Sequence, residues 1–113
     1  MNDKLMRGIF TLTVDELADN REKHGEKYAS LHEGYAYLQE AAERTKEEME
    51  NVTLAMDRLW RITRQNMTPL AYGCASQIAH FAAVVAAEAI QMSAVAKKIA
   101  EAWEDEAIDE WQD

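Results

Sequence analysis

Polar and apolar residues follow each other along this chain with helical periodicity almost throughout. The longest run, Leu31, Tyr35, Leu38, Ala42, Thr45, Met49, Val52 and Met56, advances in steps of three and four, which puts all eight on one face of an α-helix. Glu33, Glu40, Glu43, Glu47 and Glu50 occupy the other side, so the run predicts a long amphipathic helix with an acidic stripe. Ser30-Leu-His-Glu33 has the capping-box pattern that satisfies free N–H groups at a helix start, and opens this helix. Thr13-Val-Asp-Glu16 repeats the pattern and predicts an earlier helix reaching His24, with Gly25 as its stop. The apolar pattern weakens from Arg61 to Met67, and Asn66 to Pro69 is the clearest break, with Thr68 as N-cap and Pro69 in the following first turn. A third helix then runs to about Trp103, with Gly73 as a point of interruption. Residues 1–12, with Ile9-Phe10-Thr-Leu12, read as an apolar arm for docking on the bundle or a second subunit, and residues 104–113 as an acidic end.

The third helix carries the most informative residue. Phe81, Val84, Val85, Glu88, Gln91, Met92, Val95 and Ile99 share a face, so a carboxylate stands inside an apolar stripe. A buried carboxylate has to be neutral, paired with a cation or bound to a metal. Arg58 or Arg61 would serve as the cation. For the metal, Glu40 and Glu43 lie one turn apart on the second helix, with oxygens able to converge on Mg²⁺ or Mn²⁺, which take oxygen ligands from a few carboxylates and from phosphates. Glu33, Glu47 and Glu50 read as a solvated face.

With 113 residues, the chain has the length of a single helical domain, residues 1–113. Four Gly and one Pro against 48% hydrophobic residues leave little room for turn-rich sheet. The expected fold is therefore all-α, an antiparallel helical bundle. Its apolar helix surface exceeds what one chain can cover, which predicts a homodimer or homotetramer. A net charge of −9 excludes a nucleic-acid partner, whose affinity comes from neutralised phosphates, but not a free nucleotide bridged by cations. The single Cys74 fits a reducing, cytoplasmic compartment. Met1 to Gly8 lacks the apolar core of a signal peptide. Phe81 to Ala96, interrupted by Glu88 and Gln91, is short for a span of about 20 residues and reads as a helix buried in protein, with no membrane partner. His24, His32 and His80 lack the companions of a zinc site. Tyr37, Trp60 and Trp103 are candidates for stacking on a base. Lys97-Lys98, Arg61 and Arg64 are candidates for phosphate contacts.

Glu22-Lys-His-Gly25, Ser30-Leu-His-Glu-Gly-Tyr-Ala-Tyr-Leu-Gln-Glu-Ala-Ala-Glu43 and Ala87-Glu-Ala-Ile-Gln-Met-Ser-Ala-Val-Ala96 together resemble the MazG-like branch of the all-α nucleoside triphosphate pyrophosphohydrolases, in the short form found in phages and prophages. The resemblance covers Leu17 to Ile99. It implies an oligomeric helical bundle in which Glu-Glu-x-x-Glu on one helix and Glu-x-x-Asp on a later one bind Mg²⁺, while water attacks the triphosphate to give a nucleoside monophosphate and pyrophosphate. On that pattern Glu40, Glu43 and Glu88 are the metal ligands and catalytic carboxylates, and Gln91 is a weaker ligand. Tyr37, Arg61 and Lys97 are the nucleotide contacts chosen from the residues. Gln39 stands where the family has its first Glu, and Gln91 where it has Asp; an amide offers one carbonyl oxygen but no charge. The interval from Glu43 to Glu88 also exceeds that of compact members. A nucleotide-binding protein without turnover and a structural helical interaction module, with Glu88 in an ion pair, are the alternative expectations.

Overall fold

The computed structural model describes residues 2–106. Three α-helices account for nearly all of them: α1 Asp3–His24, α2 Leu31–Arg64 and α3 Thr68–Ala102, with a 3₁₀ turn at Glu104–Glu106. No strand occurs among the described residues, so the all-α expectation holds. The rest of the acidic end, residues 107–113, lies outside them.

The helix boundaries follow from side-chain chemistry. α1 starts ten residues earlier than Thr13, because Asn2 caps it: its Oδ1 accepts from the backbone N–H of Lys4 at 2.7 Å and of Leu5 at 3.2 Å. The expected N-terminal arm is thus the beginning of a helix. Thr13 lies inside that helix, buried, where its hydroxyl donates to the Ile9 carbonyl at 2.9 Å instead of capping anything. At the other end Gly25 adopts φ +88, a value that side chains resist, and its N–H donates to the Arg21 carbonyl. Ser30 does cap α2, its hydroxyl accepting from the Glu33 N–H at 3.1 Å. Asn66, in the left-handed region at φ 53, turns the chain between α2 and α3. Pro69 sits in the first turn of α3, and Gly73 does not interrupt it.

The chain divides into two compact units: the segments up to Glu40 and from Ile90 onward make the first, and Ala41–Ala89 the second. In the first unit the buried residues are Thr13 and Leu17 of α1, Tyr28, Gly34, Ala94, Val95 and Lys98, and Lys98 of α3 bonds Asn20 of α1. A methyl group placed on Gly34 would come within 3.0 Å of the Ile99 side chain and 3.2 Å of the Tyr28 ring, so glycine permits this approach of α2 to α3.

The second unit is an antiparallel helical hairpin. Arg44 meets Glu88 and Arg58 meets Gln77, so contacts run backward along α3 as they run forward along α2. On α2 the half-buried or buried positions include Ala41, Thr45, Glu48, Val52, Ala55, Leu59 and Ile62, flanked by half-buried Arg44 and Asn51, and on α3 Ala71, Cys74, Ile78, Phe81, Val85 and Glu88, flanked by half-buried Val84 and Ala89. The central row on each helix alternates steps of three and four, the spacing of a coiled-coil seam. Ala41 and Ala55 are fully covered, at 0% and 1% exposure, so small residues set the closest approach.

This seam departs from the expected apolar face of α2. Leu31, Tyr35, Met49 and Met56 are exposed, and packing runs along the neighbouring face through Ala41, Ala55 and Leu59. α3 departs too: only Ala94, Val95 and Lys98 are buried along it, whereas the sequence predicts a helix enclosed by protein. By length and composition α3 is apolar enough to cross a membrane, a test that core helices of soluble proteins also pass.

Candidate functional site

Glu88 sits on the α3 seam with a side chain 22% exposed, and its Oε2 accepts from Arg44 Nε at 3.1 Å. The carboxylate in the apolar stripe is thus held by a guanidinium from α2. The partner is Arg44, not Arg58 or Arg61: Arg58 bonds the Gln77 amide oxygen at 3.2 Å, and Arg61 is exposed near the end of α2. Arg44 reaches Glu88 because it follows Ala41 by three residues and precedes Glu48 by four, which puts it at the edge of the seam.

The other carboxylates expected at a metal site are placed differently. Glu43 is exposed on α2, in the same unit as Glu88. Glu40, also exposed, and half-buried Gln91 belong to the first unit. Among the described residues no group of three or more His, Cys, Asp or Glu side chains is arranged to hold a metal ion. A divalent cation needs several oxygen donors at about 2.0–2.6 Å, and the seam carboxylate already serves a fixed cation. The donor set present does not fit Mg²⁺ or Mn²⁺.

The expected nucleotide contacts fall on different features. Tyr37 stacks on Tyr28, with centroids 5.1 Å apart and planes at 19°, while His24 tilts against it at 6.4 Å. One face of its ring is therefore taken. Lys97 lines an open groove between α1 and α3 with Arg21, Glu22, Glu26 and Glu101. Its ammonium lies 3.9 Å from Glu101, and Arg21 contacts both Glu101 and Glu26, so three carboxylates balance two cations there and leave little attraction for phosphate. Arg61 is in the second unit.

A different cation has the most unusual environment among the described residues. Lys98 is completely buried, its Nζ donates to Asn20 Oδ1 at 2.7 Å, and it stands 4.1 Å from the centre of the Tyr28 ring. Burial pushes its amine below the ordinary lysine range, with Arg21 acting in the same direction. The ring face and the amide oxygen replace water around the ammonium. The Tyr28 hydroxyl is itself buried and makes no hydrogen bond among the described residues; burial pushes its phenol up, while Asn20 pulls it the other way. Sequence reading groups Lys98 with Lys97 as surface charge. The signal that separates them is spacing: Lys98 falls three and four residues after the buried Val95 and Ala94, and Lys97 does not share their face.

No known protein family, no functionally characterised protein and no solved structure matches this chain.

Proposed function

We propose that the chain is a helical interaction module: a coiled-coil hairpin whose register is set by an ion pair and whose remaining apolar faces bind protein. The Arg44–Glu88 contact carries the reading. A charged pair on a largely apolar seam contributes less to stability than packed hydrocarbon of the same size, but it penalises every register in which the two residues fail to meet. Exposed Met49, Leu54, Met56, Trp60, Leu70 and Tyr72 support the binding role, since side chains of this kind gain about 1.5–3 kcal/mol each when fully covered.

A second reading is favoured by the same contact. It ties Arg44, the residue that follows the first family-like segment, to Glu88 in the second. A pyrophosphohydrolase resemblance would make those two segments neighbours. On this reading the helix pair binds a nucleotide, and hydrolysis needs a cation that the present donor set does not accommodate.

A panel of nucleoside triphosphates incubated with the protein and millimolar Mg²⁺ or Mn²⁺ separates the two. The interaction module predicts no pyrophosphate above the protein-free blank and no change in melting temperature with metal, nucleotide or both. Metal-dependent pyrophosphate release that disappears in Glu88→Gln would replace the first reading by the hydrolase. A nucleotide-dependent rise in melting temperature without turnover would replace it by a silent nucleotide site.

A further inference from the structure

We propose that the turn end of the helical hairpin in the second unit docks on an anionic phospholipid surface. The inference goes beyond the interaction-module reading: it assigns Trp60, Met67, Leu70 and Tyr72, around the turn, to lipid, and leaves Met49, Leu54 and Met56, along the side of α2, to protein.

Arg44 and Glu88 each lie twenty residues from the turn end of their helix, at Arg64 and Thr68, and they meet at 3.1 Å. Equal numbers of residues from those ends therefore mean equal heights along the hairpin, at about 1.5 Å per residue. On that scale the end is layered. Met67, in the turn, and Leu70, about 3 Å up, are 41% and 50% exposed. Trp60 and Tyr72 share one level about 6 Å up, one on each helix, at 58% and 83% exposure. Arg64 folds its guanidinium back over the Trp60 ring, 5.7 Å from its centre. Arg61 and Arg58, both exposed, follow about 4.5 and 9 Å up. An apolar tip, two aromatic rings at one level and cations beside and above them match the order of a bilayer interface, where acyl chains give way to the zone that Trp and Tyr prefer and then to phosphates. Such a contact needs no spanning helix, so the shortness of Phe81–Ala96 does not oppose it.

Charge selects the lipid. Between Asp57 and Glu88 the chain has three arginines and no carboxylate, so this end is cationic in a chain of net charge −9. The first carboxylate up α2, Asp57, is about 10 Å from the end, beyond the screening length of about 8 Å at physiological ionic strength, so the acidic stripe above it does little to oppose the contact. Geometry favours a surface over an elongated partner. Arg58, Arg61 and Arg64 step by three residues, which turns each about 60° around α2 from the last, and Tyr72 and Leu70 stand on the other helix. These groups share a height and not a side. A plane met end-on touches all of them, whereas a helix or strand laid along the hairpin would follow one side.

Flotation of the whole chain with vesicles of phosphatidylcholine, alone or mixed with phosphatidylglycerol, tests the proposal. Binding is expected on the mixed vesicles only, and should weaken in high salt. Arg61→Gln and Arg64→Gln, at exposed positions, should keep the helical circular dichroism and should each lower binding about fivefold. Brominated acyl chains in the mixed vesicles should quench part of the tryptophan fluorescence, and Trp60→Phe should remove that quenching while the other tryptophans still emit. No binding at low salt, equal binding to both kinds of vesicle, indifference to both arginine changes, or quenching that persists in Trp60→Phe overturns the proposal. So does tighter binding to polyglutamate or single-stranded DNA through the same arginines, which would give the end to an acidic protein or a nucleic acid. The interaction module then still stands on Met49, Leu54 and Met56. Metal-dependent pyrophosphate release would instead remove that reading and leave the vesicle result unchanged.

Discussion

Replacing Lys98 by Ala is expected to cost about 2–3 kcal/mol of unfolding free energy, and replacing it by Met almost nothing. The difference isolates the charge from the hydrocarbon that carries it. Lys98 has no exposed surface, so its methylenes fill space between α1, Tyr28 and α3, and Ala leaves that space open. Met keeps an unbranched chain of similar length in the same place. It gives up the 2.7 Å bond to Asn20 and the contact with the Tyr28 ring, but it also removes an ammonium that burial disfavours. Urea midpoints of the two variants decide the matter. Equal losses in both would mean that the ring and the amide hold the cation more tightly than water does.

The same lysine predicts a pH dependence. Its folded-state pKa lies below the ordinary 10.5, so the unfolded chain binds this proton more tightly. The penalty is fully present below the folded value and is relieved as pH rises toward 10.5. Wild-type stability should therefore gain on that of Lys98→Met with rising pH in this window. Tyr28 acts oppositely above pH 10, because its raised pKa means that the unfolded chain loses the phenolic proton first. Denaturant unfolding of both proteins between pH 8 and 10 measures the slope; parallel curves would show that Lys98 does not titrate in this range.

Three helices and two of their junctions were legible because each rests on local chemistry. Ser30 needs only Glu33 to cap a helix, Gly25 needs only its own backbone freedom, and Asn66 with Pro69 can hardly continue one. What escaped depends on residues distant in sequence. Thr13 reads as the start of α1 because a capping box and an interior threonine have the same sequence, and only the hydroxyl's bond back to Ile9 separates them. The α2 seam was placed on the larger apolar residues, but burial follows the match between two helices. Ala41 and Ala55 are the fully covered side chains of α2, and Met49 and Met56 remain outside. Glu88 reads from the sequence as neutral, cation-paired or metal-bound, and the structure shows it beside Arg44. Its partner depends on the register between helices, and Arg58 and Arg61 lie too near the hairpin turn to reach it.

Arg44→Met is expected to lower stability by about 1–3 kcal/mol, Glu88→Gln by less, and Arg44→Met combined with Glu88→Leu to recover most of the loss. The asymmetry follows from where each group is left. Without the guanidinium, Glu88 keeps an ionised carboxylate on a seam formed with Ala41, Thr45 and Phe81, with only 22% of its side chain in contact with solvent. Arg44 is 42% exposed, so water can solvate it after Glu88 becomes an amide, and the amide oxygen still accepts a hydrogen bond. Making both positions apolar removes the charges together and lets the hairpin close on hydrocarbon. The same variants bear on function. If Arg44 stands where a metal would otherwise bind, Arg44→Met frees Glu88 for a divalent cation, and millimolar Mg²⁺ or Mn²⁺ should raise its melting temperature more than that of the wild type. If the pair only sets register, metal should leave all three variants unmoved, while the apolar double variant, without its polar guide, should show looser helix pairing by hydrogen exchange at unchanged or higher stability.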